Sequence, residues 1–138
     1  MTAPAATIPG TATGDCEPTP AHPVPIVLLH GTIDDATAWD KLTPELVAAG
    51  YCVFAPTYGV TTTSFGIGGV APVTTAASVV AAYIEDVLAA TGATRVDIVG
   101  HSQGGTIAEY YAKILGNADS IRSATLLAPV THGTTLSG

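Results

Sequence analysis

Three features of this sequence predict an α/β fold: a mainly parallel sheet of about four strands with helices on both faces. Short apolar runs alternate with stretches of helical spacing. The runs are apolar at consecutive positions rather than every second one, as strands buried on both faces require. Glycine or proline punctuates the junctions at 31, 50, 56, 92 and 129. The order is β-α-β-α-β-α-β, and such strand–helix–strand units imply right-handed crossovers.

The first strand is residues 25–30, Pro-Ile-Val-Leu-Leu-His, ended by Gly31. After a polar loop, Thr43-Pro44-Glu45 reads as a helix start. Thr43 is the expected N-cap, with Pro44 in the first turn. That helix runs to Ala49, and Gly50 suits its C-terminal cap. Residues 51–55 form the second strand, stopped by Pro56. Residues 57–73 are rich in Gly and Thr and have no period, so they read as a long loop. Across 74–90, Val80, Tyr83, Ile84, Val87 and Leu88 recur at helical spacing, and Gly92 ends the helix. The third strand is 95–100, the third helix 103–115 and the fourth strand 121–128, closed by Pro129. The fourth strand is expected at an exposed sheet edge, which invites association.

Composition narrows the function classes. At 138 residues, 47% hydrophobic and 11% charged, the chain suits one domain with a packed core. A net charge of −7 with four Lys plus Arg leaves no basic surface for nucleic acid. It also disfavours an anionic membrane surface. The longest apolar candidate, 76–90, is interrupted by Glu85 and Asp86, so no transmembrane segment is expected. Neither a phosphate-cradling G-x-x-x-x-G-K nor a G-x-G-x-x-G after the first strand is present. Residues 1–15, rich in Ala, Thr, Pro and Gly, read as a flexible leader or the remainder of a cleaved signal. They lack the charged start and apolar core of an intact one. Cys16 and Cys52 form either a disulfide pinning the N-terminal segment to the sheet or two reduced thiols. A bridge here is worth roughly 3–4 kcal/mol in the chain-entropy account.

The chemistry concentrates in Gly100-His101-Ser102-Gln103-Gly104, a G-x-S-x-G motif between a strand and a helix. A sharp turn in that setting exposes one serine, so Ser102 is the candidate nucleophile. The plainer reading is a glycine-rich turn carrying a surface serine. A serine hydroxyl needs a base to take its proton. The helix N-terminus at this turn favours developing negative charge. The N–H of Gln103 is one candidate oxyanion donor. The second is the N–H of Thr32, in His30-Gly31-Thr32 after the first strand, against an ordinary tight turn.

Loops 31–35, 57–73 and 100–104 gather at the carboxyl ends of the strands, where open sheets of this kind bind ligands. In the long loop, Phe65, Ile67 and Val70 are candidates to line an acyl-chain site, against a mobile surface loop. Trp39 and Tyr58 are further apolar candidates, Trp39 more as an anchor for the first helix. Among the four histidines, His22 lies in the leading segment and His101 points away from its neighbour serine. His132, after the fourth strand, is the internal candidate for a base or a cleft-lining residue. Asp34, Asp35 and Asp97 read as solvated or locally hydrogen-bonded carboxylates.

Five stretches carry a resemblance. They are Pro25-Ile-Val-Leu-Leu-His-Gly-Thr32, Gly50-Tyr-Cys-Val-Phe54, Val87-Leu-Ala-Ala-Thr-Gly-Ala93, Asp97-Ile-Val-Gly-His-Ser-Gln-Gly-Gly105 and His132-Gly-Thr-Thr-Leu136. The chain resembles the N-terminal part of secreted bacterial lipases of the α/β-hydrolase superfamily, from about Cys16 onward. The resemblance implies hydrolysis of triacylglycerol or other carboxylic esters through an acyl-enzyme, with an ester or lipid substrate and no metal or cofactor. It also implies secretion, a Cys16–Cys52 disulfide, and a bracing role for His30. Members of the superfamily continue with further strands carrying an acid and then a histidine. This sequence ends about ten residues after the fourth strand. Residues 16–138 are therefore expected to be the N-terminal part of a single, larger domain. Two alternatives keep the same motifs: a non-catalytic chain retaining only the ester-binding and oxyanion site, and an acyltransferase or thioesterase.

Overall fold

The computed structural model describes residues 16–132. The leader, 1–15, and the stretch 133–138 that contributed to the resemblance lie outside the described residues. The elements are β1 (Ile26–Leu29), α1 (Leu42–Ala48), β2 (Val53–Phe54), α2 (Val73–Thr91), β3 (Val96–His101), α3 (Gln103–Lys113) and β4 (Ile121–Leu127). Two 3₁₀ turns, Ala36–Trp39 and Ala118–Ser120, are additions to the expected order. The sheet runs β2-β1-β3-β4, and each neighbouring pair is parallel. This is the α/β architecture the sequence predicts.

β1 shows why its apolar run is unbroken. Side chains alternate between the two faces of a strand. Val27 and Leu29 join the core beneath α2 and α3, with Val80, Ile84, Ile98 and Ile107. Ile26 and Leu28 face the other way, onto Trp39, Leu42 and Leu46. Both faces are covered, and all four residues are buried. Trp39 is buried here and anchors the approach to α1.

Thr43 is not the N-cap of α1. The helix starts at Leu42, Lys41 is the N-cap position, and no side chain caps it. The backbone at Asp40 and Lys41 is already right-handed helical after the 3₁₀ turn, so Thr43 falls inside the first turn. The C-terminal expectation holds. Gly50 N–H bonds to the Val47 carbonyl and Tyr51 N–H to that of Leu46, the two bonds of a Schellman cap. α2 is long and apolar enough to cross a membrane by length and composition. In this fold its Ala76, Ala77, Val80, Ile84 and Val87 stripe packs into the core.

Two ties hold the sheet's flanks. A Cys16–Cys52 disulfide, with Cα atoms 5.7 Å apart, fastens the N-terminal segment beside β2. The Cys52 carbonyl also accepts the N–H of Ile26 at 2.8 Å. Across the sheet, Asp97 on β3 accepts from Nε of Arg122 at 2.9 Å, from its Nη2, and from Oγ of Ser123 at 2.8 Å. The β3–β4 register shifts between Val96 and Asp97, so Val96 pairs with Ile121 and Asp97 with Ser123. Arg122 occupies that irregularity and reaches back to the carboxylate. Asp97 is thus a structural anion, as its position inside a strand suggests. Among the described residues β4 is the outer strand, and only Ile121 and Leu126 on it are half-buried.

Candidate active site

The candidate nucleophile sits where β3 becomes α3. Ser102 has φ 53° and ψ −117°, a conformation rare for a residue with a side chain. Its N–H donates to the Leu127 carbonyl of β4 at 2.8 Å, and its carbonyl accepts from Gly105 N–H at 3.0 Å. The turn is this tight because Gly104 carries no side chain. A methyl group there would stand 2.2 Å from the Leu29 carbonyl oxygen. The loop after β1 lies directly against the serine: a methyl group on Gly31 would be 3.3 Å from Ser102 Cβ. Thr32 follows on an exposed turn.

Gln103 is the first residue of α3. The first N–H groups of a helix have no intrahelical partner, and the dipole adds partial positive charge there. A hydroxyl, a helix N-terminus and the Gly31–Thr32 backbone therefore converge at one rim.

The histidines occupy distinct settings. His30 is fully buried, its Nδ1 donating to the Gly31 carbonyl at 2.8 Å and its Nε2 accepting from Tyr58 N–H at 3.1 Å. Tyr58 Oη donates to the His30 carbonyl, and the two rings stack with centroids 4.2 Å apart. Both ring nitrogens are committed, so the imidazole is held in one neutral tautomer. Burial keeps its pKa below the ordinary value. It braces the loop after β1 and is not available to Ser102. Burial likewise pushes the Tyr58 hydroxyl well above the usual phenol range. His101 is exposed. His22 packs on Tyr51, at the opposite end of the sheet. His132 is exposed. It follows a segment drawn across the start of α3, where Thr106 Oγ1 donates to the Val130 carbonyl at 2.8 Å.

The carboxylates beyond the Gly31–Thr32 turn are used locally. Asp34 accepts from Asp35 N–H, and Asp35 accepts from Thr37 N–H and Oγ1. Those bonds hold the Asp35 carboxyl below its ordinary pKa.

The loop between β2 and α2 is fastened to this rim. Asp34 and Gly68 form an antiparallel bridge, with N–H to carbonyl distances of 3.3 and 3.0 Å. Gly69 N–H donates to the Tyr58 carbonyl at 2.8 Å. Ile67 and Val70 flank these glycines and are partly exposed, whereas Phe65 at the tip is 98% exposed. The structure thus brings Ser102, Gln103, Gly31 and Thr32 together and leaves Phe65 in solvent. Sequence reasoning missed the hydrogen-bonding role of Tyr58 and the contact made by Gly69. The paired glycines at 68 and 69 were the one local hint of a close approach.

Known proteins share this fold. The family described by the alpha/beta hydrolase fold matches residues 24–137. A triacylglycerol lipase from Pseudarthrobacter phenanthrenivorans is 58% identical over 33 residues, which are 24% of this chain and 10% of that protein. The mature lipase BlEst2 of Bacillus licheniformis superposes with a TM-score of 0.68 at 20% identity, covering 86% of this chain and 45% of that one. A monoacylglycerol lipase from Paleococcus ferrophilus gives 0.58 at 25% identity, covering 77% and 40% respectively. The chain thus spans about a tenth of the curated relative and under half of each solved structure. The family match covers most of the sheet, the serine turn and the loop opposite it, and on that footing the chain belongs to the alpha/beta hydrolase fold family.

Proposed function

We propose that this chain acts on carboxylic esters of the lipase and esterase type, with Ser102 as nucleophile. The observation that carries the reading is the backbone of Ser102 at φ 53°, poised on a helix N-terminus with Gly31 against its Cβ. In the proposed reaction, Oγ of Ser102 attacks the ester carbonyl carbon as a base takes its proton. The carbonyl oxygen becomes an anion held by the N–H groups of Gln103 and Thr32. Collapse breaks the bond to the alkoxy group, which leaves with the proton as the alcohol. Water then hydrolyses the acyl-enzyme by the same steps in reverse roles. No metal or cofactor is needed for this sequence. Ile67 and Val70, with Phe65 farther out, offer apolar surface to the acyl chain.

The base has two sources in this reading: His132, or a histidine beyond residue 138. The chain order of serine, acid, then histidine on this fold supports the second. On that view residues 16–138 are the N-terminal part of one domain. The Cys16–Cys52 bridge supports an extracellular setting, since such bonds persist in oxidising compartments.

The test is turnover of a short-chain nitrophenyl ester, together with labelling by a fluorophosphonate. In a protein that includes the base, the wild type should label on Ser102, and Ser102→Ala should abolish the adduct and lower turnover by at least about a thousandfold. Equal turnover by both in that protein would remove the serine mechanism. Loss of turnover in His132→Ala, with the fold intact, would assign the base to that residue.

A further inference from the structure

Gln103 contacts the rim through both of its ends. Its backbone N–H is the proposed first oxyanion donor. Its side-chain Nε2 donates to the Gly69 carbonyl at 3.3 Å, across 34 positions of sequence. Among the described residues its Oε1 is buried without a partner. Exchanging the two ends of the amide would turn an acceptor toward the Gly69 carbonyl, so the N–H assignment is the one that bonds. An amide taken out of water for a single bond is held in place by what it joins.

What it joins is the second donor's loop. A methyl group on Gly69 would stand 2.4 Å from the Gly31 carbonyl oxygen and 2.9 Å from Thr32 Cα. Next to it, Gly68 exchanges both hydrogen bonds with Asp34. Gly69 is therefore wedged between the Gln103 side chain on one side and the Gly31–Thr32 backbone on the other. Of residues 31–34, Gly31 is also held at its carbonyl by His30 Nδ1, whereas Thr32 and Ile33 are exposed and Ile33 sits at φ 54°.

We infer that the Gln103 side chain is a positioning residue: through Gly69 it fixes the amide of Thr32 relative to its own amide. One residue would then set the spacing of both oxyanion donors. The effect on rate rests on the ester-hydrolase reading, while the positioning itself is measurable without it.

The experiment uses Gln103→Ala and Gln103→Met, which keep the backbone N–H; methionine keeps the bulk but cannot donate. The first readout is amide hydrogen exchange at Asp34, Gly68 and Gly69. Both variants should speed it by about tenfold, the loss of one ordinary hydrogen bond, while the amides of β1 exchange as in wild type. The second readout is turnover of a short nitrophenyl ester. kcat should fall by about tenfold with KM nearly unchanged, as for an interaction made in the transition state. In the Gly69→Ala background, which displaces Thr32 from the other side, Gln103→Met should add little further loss. Wild-type exchange in Gln103→Met would overturn the inference. So would faster exchange with unchanged kcat. A wild-type protein that includes the base and is still inert to both ester and fluorophosphonate would end the serine reading, and the exchange result would still decide the role of the side chain.

Discussion

β1 and β4 are both parallel neighbours of β3, and they are built in opposite ways. β1 has four residues, all buried. β4 has seven, five of them exposed. Leu29 is at 0% exposure and Leu127 at 46%, although both end their strands at the same rim. The difference is made by neighbours, since β1 has a strand on each side and helices over both faces while β4 is the outer strand. Yet each supports half of the candidate site. β1 delivers His30, Gly31 and Thr32, and the Leu127 carbonyl holds the N–H of Ser102. A site can thus hang from one deep support and one shallow one.

The contrast breaks if the two strands respond alike to truncation. Leu29→Ala should cost about 2–5 kcal/mol in urea unfolding, while Leu127→Ala should cost about 1 kcal/mol or less. Equal losses would mean that β4 is covered in solution. The bridge beside β1 should matter nearly as much. Cys16→Ser removes the 36-residue closure and should lower stability by roughly 3–4 kcal/mol, read as a shifted denaturant midpoint.

His30, just after β1, sharpens the comparison through pH. Burial depresses the folded-state pKa of His30 below the ordinary histidine value of 6.5. The unfolded chain therefore takes up this proton at a higher pH than the folded one. Its contribution to stability is complete above about pH 6.5 and is lost as pH falls below that toward the folded pKa. Unfolding midpoints measured from pH 8 down to pH 5 should decline, and His30→Gln should flatten that decline. The same decline in His30→Gln would assign it to other groups.

The smallest effect is expected at the exposed edge. Thr125→Lys should leave stability within about 0.5 kcal/mol and should reduce self-association in sedimentation at raised concentration, because edge lysines oppose strand pairing. Unchanged association would show that the edge is not the contact.

Much of the fold was legible because local and long-range demands agree. Ile26 to Leu29 are apolar at every position and Val96 to Val99 at all but Asp97, as central strands read, and Gly50 and Gly92 cap the helices they follow. Thr43 misled because a 3₁₀ turn capped by Asp35 runs straight into helical backbone at Asp40 and Lys41, before that residue is reached. The serine turn was legible for a different reason: its glycines are required by backbone approaches within a few residues of the motif and by one strand. Residues 57–72 were not. Their order comes from Asp34, Tyr58, His30 and Gln103, contacts that glycines accept without leaving any apolar period to read. For the same reason the side chain of Gln103 looked incidental beside its amide.

The bond from Ser102 to Leu127 has a practical corollary. Peeling of that outermost ribbon, by warming or by a second molecule adding itself alongside, would tilt the serine while the interior stayed packed. Reactivity toward phosphonates should therefore fade at temperatures where circular dichroism still reports an intact protein.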